Sequence, residues 1–285
     1  MNLEPTDEQR MLAETVDGLL DKSYDPNARL ALLSAADGWS RELWQRYAEM
    51  GLLGLTIDEE FGGAGMGVAE LAVVQEAFGR YLVLEPYFPT VVLGASLITA
   101  AGSAQQKAAI LPGVAAGTTL LALAHTEPRS RWSLTDIAAR AHPDGPGWRV
   151  DAEKIAVPGG DSADQIVVTA RTPDDMVGLF LIDAGTGVRR AGYPMQDGLR
   201  GADLVFAGAP ATALGNPDTA LPTLAAVLDL GTAMLCAEAV GAMDRMLWLT
   251  RDYLKTRVQF GRPIGTFQVL QHRAADMYVS LEQAR

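Results

Sequence analysis

Cysteine, histidine and basic residues are all scarce in this chain of 285 residues. The single cysteine, Cys236, has no partner for an internal disulfide, so the sequence favours a reducing compartment such as the cytoplasm. Only three histidines occur, none at metal-ligand spacing from another, and no metal site is expected. The 35 acidic residues outnumber the 23 Lys and Arg, and the resulting formal charge of −12 argues against a surface for nucleic acid.

A secretory signal and long uninterrupted apolar runs are also missing. The chain opens with Glu4, Asp7 and Glu8 instead of a basic and then an apolar segment. Two uncharged stretches, residues 86–106 and 108–124, are interrupted by Pro and Gly and are rich in Ala, Ser and Thr. Since a spanning helix needs about 20 mostly apolar residues, no membrane span is expected and both stretches are interpreted as buried helices.

Hydrophobic periodicity divides the chain into three parts. Residues 1–118 are predicted to be helical, with a capping box between Thr6 and Gln9 at the start. Residues 119–212 carry short apolar runs between Gly, Pro and Asp-rich turns, which predicts a small antiparallel sheet or barrel with strands at 120–124, 155–157, 165–170 and 178–182. Residues 213–285 return to a helical period. The predicted fold class is therefore α+β and multidomain, with an N-terminal all-α domain, a central antiparallel β-domain and a partial C-terminal helical bundle.

The C-terminal part is predicted to hold two amphipathic helices joined by the breaker from Gly261 to Gly265. One stripe of the first helix consists of Leu224, Leu228, Gly231, Leu235, Glu238, Ala242, Met246, Leu249 and Tyr253. Cys236 lies in the same helix and is predicted to be packed in the interior. Two such helices normally need further helices to complete a bundle, and Arg285 follows no C-cap glycine. We therefore expect either a partner chain or a natural protein that continues beyond Arg285.

Common nucleotide and nucleophile motifs are absent from the sequence. The glycine-dense segment at residues 61–67 follows no clear strand and precedes no Lys-Ser/Thr pair, so it is better interpreted as a connection between helices. No Gly-x-Ser-x-Gly elbow is present.

The segment from Tyr253 to Met277 carries the most specific pattern in the chain. Its run YLKTRVQFGRPIGTFQVLQHRAADM resembles the signature of the acyl-CoA dehydrogenase family over more than twenty consecutive positions. Three other segments agree with the family in the same order, namely Trp44–Gly54 leading into Ile57–Gly63, Gln75–Arg80, and Ala124-His-Thr126-Glu127-Pro128. The resemblance covers essentially the whole chain.

The resemblance implies a function as well as a fold. It implies domains at 1–118, 119–212 and 213–285, bound FAD, and α,β-dehydrogenation of an acyl-CoA thioester in which the α-proton is abstracted and the β-hydride passes to the flavin. It also implies electron-transfer flavoprotein as electron acceptor, a tetramer, and a role in fatty acid or steroid side-chain catabolism. The chain is most similar to small subunits of the pimeloyl-CoA-dehydrogenase-like branch, which pair with a larger homologous subunit. Homo- and hetero-oligomers both remain open.

Four cofactor residues follow from the resemblance. Arg257 matches an arginine that reaches the FAD pyrophosphate of a neighbouring subunit, and a guanidinium fork suits a phosphate. Gln268 and Phe260 match positions at the adenosine half of the cofactor, although core packing is almost as good an explanation for Phe260. Thr126 matches the hydroxyl residue beside the flavin ring.

The departures from the family pattern concern the substrate and the flavin loops. Asp229 matches a carboxylate near the substrate, but Thr232 replaces the arginine expected three residues later. Trp132 stands where the family has a small hydroxyl residue, and Ala156 and Pro158 stand in a segment that normally carries an aromatic and a hydroxyl.

The catalytic base is the largest departure. Most members place a glutamate beyond the point where this chain ends, and a minority place it at the position of Gly231. Glu238 lies about 10 Å further along the helix and is the one candidate base, although a structural glutamate paired with another residue is the simpler interpretation.

The predicted function is therefore FAD-dependent acyl-CoA dehydrogenation by one subunit of an oligomer. Two alternatives remain: a non-catalytic structural subunit of such a complex, or a flavin monooxygenase on the same fold.

Overall fold

The computed structural model describes residues 4–285. They form two compact units. The helical unit comprises residues 4–25, Val68–Val83 and Thr232–Arg285, and the sheet unit comprises Pro26–Gly67 and Leu84–Gly231.

The helices and strands follow one another in the order that periodicity predicts. The α-helices are α1 (Asp7–Ser23), α2 (Pro26–Leu33), α3 (Arg41–Glu49), α4 (Val68–Tyr81), α5 (Ser96–Ala101), α6 (Ala104–Ala115), α7 (Pro217–Thr256) and α8 (Gln268–Ala284). The strands are β1 (Leu121–Ala124), β2 (Arg140–Asp144), β3 (Gly147–Pro158), β4 (Gln165–Arg171), β5 (Val177–Asp183), β6 (Val188–Pro194), β7 (Arg200–Leu214), β8 (Val258–Gln259) and β9 (Arg262–Pro263). Short 3-10 helices occupy Glu59–Phe61 and Ile264–Thr266, and a π-helix occupies Phe88–Ala95.

The helical unit begins with the predicted capping box. The backbone N–H of Gln9 donates to Thr6 Oγ1 at 3.2 Å, and the backbone N–H of Thr6 donates to Gln9 Oε1 at 2.9 Å. Two of the unpaired N–H donors at the start of α1 are satisfied in this way, so the predicted capping box is confirmed.

Two glycines set the closest helix contact of the helical unit. A Cβ atom at Gly79 of α4 would overlap the carbonyl oxygen of Glu238, and one at Gly241 of α7 would overlap the carbonyl oxygen of Glu76. Helices α4 and α7 therefore meet backbone to backbone, which only residues without a side chain permit.

The predicted stripe on α7 is only partly buried. Gly231 is buried within the sheet unit, but Leu235, Met246, Leu249 and Tyr253 are between 48% and 57% exposed. Farther along the helix the buried apolar side chains are those of Met234, Val240 and Leu247, and the last two form a small core with Leu281 of α8. Periodicity identifies an apolar face but does not determine which face meets a neighbour within the chain.

The prediction for Cys236 is wrong, because its thiol is exposed. It lies on the same uncovered side of α7 as Leu235.

The sheet unit is built on a ring of strands. The pairings run β4–β2–β3–β7–β5 and return to β4, with β1 added beside β4 and β6 beside β7. Strand β1 runs parallel to β4, and β2 meets β4 in parallel at a single pair, while the other pairings are antiparallel. The predicted α+β fold class is confirmed, with a sheet that is mixed at this one side. Its interior is filled by small and branched side chains such as Val150, Ile166 and Leu204.

One helix of the described residues has the length and composition of a membrane span. This helix is α7, Pro217–Thr256. The same length and composition are typical of a central helix in a helical bundle, so they are weak evidence for a membrane.

Candidate functional site

The turn after β1 carries the first predicted site residue, Thr126. Its backbone carbonyl accepts a hydrogen bond from the N–H of Ile155 at 3.0 Å, which ties the turn to β3. Thr126 Oγ1 lies 3.4 Å from Nε2 of His125, and both side chains are half-buried. The backbone of Thr126 is therefore fixed, and its hydroxyl has one side-chain neighbour in the described chain, His125.

A buried ion pair stands directly behind this turn. Lys154 Nζ lies 2.7 Å from Glu127 Oε1 and donates to Thr169 Oγ1 at 2.9 Å, and neither charged side chain is more than 6% exposed. The Glu127 carboxylate also accepts the backbone N–H groups of Ala138 and Ala139 at 2.7 and 3.2 Å. Three donors thus satisfy the carboxylate, as a buried charge requires. Burial lowers the pKa of Lys154, and its contact with Glu127 opposes that change.

The electrostatics of this pair extend to His125. Burial, and to a smaller extent the Lys154 ammonium, lower the pKa of His125 to about 4. His125 is therefore neutral near pH 7. Its Nδ1 atom is buried and has no hydrogen-bond partner among the described residues.

The loop after Thr126 is anchored by buried residues and carries a side chain, Trp132, that projects outward. Ser130 is buried, and its hydroxyl accepts the N–H of Glu127 at 3.0 Å and donates to the Glu127 carbonyl at 3.1 Å. Arg131 has a positive φ of 49°, which is strained for a side chain of this kind, and Trp132 is 97% exposed. A bulky aromatic ring thus occupies the place where the sequence resemblance calls for a small hydroxyl.

The departure at Ala156 coincides with an irregularity in β3. The register against β7 shifts between Lys154 and Val157, and Ala156 has a positive φ of 50°. Its N–H donates to Asp203 Oδ1 at 3.0 Å, and Tyr193 donates to the same oxygen at 2.7 Å. The bulge keeps Lys154 inside the sheet while exposing Ala156.

The helical unit gathers the other three predicted cofactor residues at one hairpin. Strands β8 and β9 pair Val258 with Pro263 and Gln259 with Arg262. The two connecting residues, Phe260 and Gly261, have φ values of 54° and 76°, which a two-residue type I′ turn requires. Phe260 is 90% exposed, so core packing does not explain its side chain in this chain.

Arg257 and Gln268 flank this hairpin. The carbonyl of Arg257 accepts the N–H of Ile264 at 2.8 Å, and its guanidinium is exposed and makes no ion pair with the described residues. Gln268 is exposed and is the first residue of α8. The N-cap residue, Phe267, supplies no side-chain hydrogen bond, and its carbonyl accepts the N–H of Leu270 at 3.0 Å. Among the described residues, the N–H groups of Gln268 and Val269 are therefore left as donors at the positive end of the helix dipole.

The candidate base, Glu238, lies elsewhere in the helical unit, at the crossing of α4 and α7. Its Oε2 atom accepts from Nε2 of Gln75 at 3.4 Å, and Gln75 is 1% exposed. Glu238 thus has a partner and stands beside the close backbone contact at Gly79. This environment favours a structural glutamate.

The alternative base position, Gly231, is filled by its neighbours in the sheet unit. A Cβ atom there would lie 2.9 Å from Leu93 Cδ2 and 3.4 Å from Phe88 Cζ, both on the π-helix. Asp229, two residues earlier, is exposed.

The sequence analysis assigned no role to three residues in and beside the turn, namely His125, Glu127 and Lys154. His125 and Glu127 stand in the Ala-His-Thr-Glu-Pro run, and Lys154 stands 27 residues further along. An isolated lysine in an apolar strand pattern was the available signal, because a lysine is almost never fully buried without a partner. Among residues 4–285, no group of three His, Cys, Asp or Glu side chains could hold a metal ion.

Comparison with known proteins identifies the family. Residues 6–118 match the family model of the acyl-CoA dehydrogenase N-terminal domain, and residues 222–285 match that of the acyl-CoA dehydrogenase C-terminal domain. The chain is 33% identical to acyl-CoA dehydrogenase IpdE2 of Mycobacterium tuberculosis, over 99% of this chain and 74% of the relative. It is 36% identical to IpdE2 of Mycolicibacterium smegmatis, over 98% and 75%.

Solved structures give the same result. A Tcur3481–Tcur3483 steroid acyl-CoA dehydrogenase variant superposes with a TM-score of 0.87 at 34% identity, over 97% of this chain and 74% of that one. The ChsE4–ChsE5 complex of Mycobacterium tuberculosis superposes with a TM-score of 0.89 at 28% identity, over 99% and 76%. The chain therefore belongs to the acyl-CoA dehydrogenase family of flavin-dependent oxidoreductases.

Proposed function

We propose that this chain binds FAD and serves as one subunit of a hetero-oligomeric acyl-CoA dehydrogenase. The observation that carries the proposal is the exposed hairpin after α7. The hairpin brings together Arg257, the exposed ring of Phe260 and the uncapped N-terminus of α8. None of these groups takes part in the core of the chain.

The chemistry of these groups suits the adenosine diphosphate half of FAD. The Arg257 guanidinium is a fixed fork of donors for a pyrophosphate, and the free N–H groups of α8 favour an anion at the same end of the helix. Phe260 offers an exposed ring face, and Gln268 offers both an amide donor and an acceptor. Since all four features face away from the chain's core, they suit a cofactor shared with a neighbouring subunit.

Thr126 is the proposed contact to the flavin ring. Its backbone is held by Ile155 and its hydroxyl is half-buried, so it presents one oriented polar group at the end of β1. When bound, FAD supplies the hydride acceptor for the oxidation of a thioester. The contribution of this chain is to bind and orient that group.

The acid–base residue is proposed to come from the partner subunit. Glu238 is engaged with Gln75, and Gly231 carries no side chain and lies against Leu93 and Phe88, so neither suits α-proton abstraction. Two of the structures with this fold are described as pairs, ChsE4–ChsE5 and Tcur3481–Tcur3483. A paired arrangement in the cytoplasm, as a mixed tetramer with electron-transfer flavoprotein as acceptor, is the form we propose for this chain.

The substrate is proposed to be an acyl-CoA, with Asp229 near the acyl group. The exposed Trp132 stands close in sequence to Thr126, and the steroid acyl-CoA dehydrogenase among the structural relatives is consistent with a bulky acyl chain.

A second candidate function is a non-catalytic subunit that binds FAD for its partner. The engaged Glu238 and the filled Gly231 position favour it specifically. The two candidates differ in the effect of Thr126→Val on turnover by the assembled complex. Turnover should fall if this chain orients the flavin for the reaction, and it should stay unchanged if the chain only holds the cofactor.

Flavin occupancy tests the proposal. The chain is purified alone and with a homologous larger subunit, and flavin per complex is measured from its absorbance. Arg257→Ala is expected to weaken FAD binding by about ten- to a hundredfold, since a charged hydrogen bond contributes about 1.5–3 kcal/mol. Arg273→Ala is the matched control, because Arg273 is 79% exposed and has only a long 4.0 Å contact with Asp276.

The result that contradicts the proposal is equally clear. If the two arginine variants retain equal flavin, the hairpin does not hold the cofactor. A complex that is colourless in every combination refutes the flavoprotein assignment, whereas a yellow complex that bleaches under acyl-CoA without oxygen supports dehydrogenation.

A further inference from the structure

We propose that His125 is a positioning residue that donates its Nε2–H to Thr126 Oγ1, and so leaves the Thr126 hydroxyl proton directed at the bound flavin. The inference rests on the proposed function for the identity of the ligand. It concerns a residue for which neither the family signature nor the comparisons supply a role.

The geometry around the imidazole allows one productive contact. Nε2 lies 3.4 Å from Thr126 Oγ1, and Nδ1 is buried without a hydrogen-bond partner among the described residues. Because Nδ1 is out of reach of solvent, it is also out of reach of a ligand. Any influence of His125 on a ligand therefore passes through Nε2 and the threonine.

The unpartnered Nδ1 decides the tautomer. A proton on Nδ1 would be a buried N–H without an acceptor, which is rare in folded proteins. A deprotonated Nδ1 leaves only an acceptor lone pair without a hydrogen bond, which costs less than a buried N–H without an acceptor. The ring proton therefore resides on Nε2. Nε2–H then donates to the threonine oxygen, and the Thr126 O–H must point to a different acceptor.

Two neighbouring features keep this arrangement fixed. The Lys154 ammonium disfavours a second proton on the ring, and Lys154 is itself held by Glu127 and Thr169. The Thr126 backbone is held by Ile155, so the direction of its hydroxyl proton is set by rotation of the hydroxyl. His125 removes this rotational freedom by occupying the oxygen's acceptor side.

Histidine labelled with the heavy nitrogen isotope tests the tautomer without any flavin. Nitrogen NMR of the intact complex is expected to show His125 neutral near pH 6, with the proton on Nε2. A proton on Nδ1, or a doubly protonated ring at that pH, overturns the inference whether or not the protein binds FAD.

Flavin potentials of variants test the consequence. His125→Phe keeps a ring but removes the donor, Thr126→Val removes the hydroxyl at nearly constant shape, and His125→Gln restores an amide donor. His125→Phe and Thr126→Val are each expected to change the affinity for reduced flavin, relative to that for oxidised flavin, by the same factor of about ten. This factor corresponds to a shift of about 30 mV in the flavin potential for a two-electron couple. The double variant is expected to change it no further, and His125→Gln is expected to recover most of the wild-type potential.

The outcomes separate the two proposals. A His125→Phe complex with wild-type potential, or a double variant with additive shifts, overturns the positioning role. A wild-type complex that binds no flavin refutes the proposed function. In that case the tautomer of His125 measured by NMR still tests the hydrogen bond from Nε2 to Thr126. His142→Phe is the control, because His142 is exposed on β2 and is expected to leave the potential and the spectrum unchanged.

Discussion

Removing one partner of the buried Glu127–Lys154 pair should destabilise the protein far more than breaking an equally short pair at the surface. Lys154→Met leaves the Glu127 carboxylate with two backbone donors and no counter-charge, and Glu127→Gln leaves the Lys154 ammonium with neutral acceptors and no counter-charge. Breaking a buried pair costs about 3–5 kcal/mol. We expect Lys154→Met near the lower limit and Glu127→Gln near the upper limit, because the carboxylate keeps more of its hydrogen bonds.

The surface control is provided by the same β-domain. Arg149 and Asp144 are also 2.7 Å apart, but their side chains are 51% and 53% exposed. Arg149→Met is expected to reduce the free energy of unfolding by about 0–1 kcal/mol, since exposed pairs are screened by water and salt. The comparison therefore sets a buried pair against an exposed pair of the same length, and the loss for Arg149→Met includes its hydrogen bond to the Gly208 carbonyl at 2.9 Å.

Urea unfolding of the four proteins, with the double variant Glu127→Gln/Lys154→Met as the fifth, measures the effect. The double variant is expected to lose less than the sum of the single losses, because it leaves no unpaired buried charge. Single losses below about 1 kcal/mol, or a strictly additive double variant, would refute the view that the pair acts as one unit.

Three further predictions follow from positions described above. The pKa of His125 is about 4 in the folded protein and 6.5 in the unfolded chain, so the folded protein binds fewer protons between these pH values. The free energy of unfolding should therefore rise with pH from about 4 to 6.5 and level off above that range. His125→Phe should flatten this slope in urea melts at several pH values. Gly241→Ala should destabilise by about 1–3 kcal/mol because its methyl group overlaps the α4 backbone, whereas Gly18→Ala, at an open position of α1, should stabilise by about 0.5–1 kcal/mol in the same thermal melts. Gly231→Glu should give no dehydrogenase turnover by the isolated chain, because the π-helix fills that space; measurable α-proton exchange with an acyl-CoA would contradict this reasoning.

Local signals predicted much of the architecture. The capping box of Thr6 and Gln9 forms as expected, since both partners lie within four residues of each other. Strands β1, β4 and β5 lie close to their predicted ranges because each is a short apolar run between turns. Strand β3 was predicted only at 155–157 and in fact covers Gly147–Pro158, because its bulges and its charged residues break the alternation on which the prediction depends.

Tertiary contacts account for the remaining differences. The pairing of Glu127 with Lys154 joins the turn after β1 to β3, two segments that have no sequence pattern in common, and the exposure of Cys236 depends on what covers α7 and not on its period. The hairpin tip was predicted as a cofactor contact from the signature alone, while the positive φ of Phe260 and its full outward exposure emerge only from the folded backbone. Local chemistry is thus visible in the sequence, and the partner of each group is not.

The close contact of α4 with α7 has a consequence for how the protein is made. Gln75 and Glu238, which meet at this crossing, are 163 residues apart in the chain. A ribosome adding residues from the N-terminus releases α1 and α4 long before α7 exists, whereas most of the sheet unit is one continuous stretch. Helices α1 and α4 therefore keep an exposed apolar face until α7 is synthesised, and the helical unit completes its folding last. Chaperones that bind nascent chains would bind these exposed apolar faces. A larger side chain at Gly79 or Gly241 would prolong the exposure during synthesis, because it hinders the contact of α4 with α7.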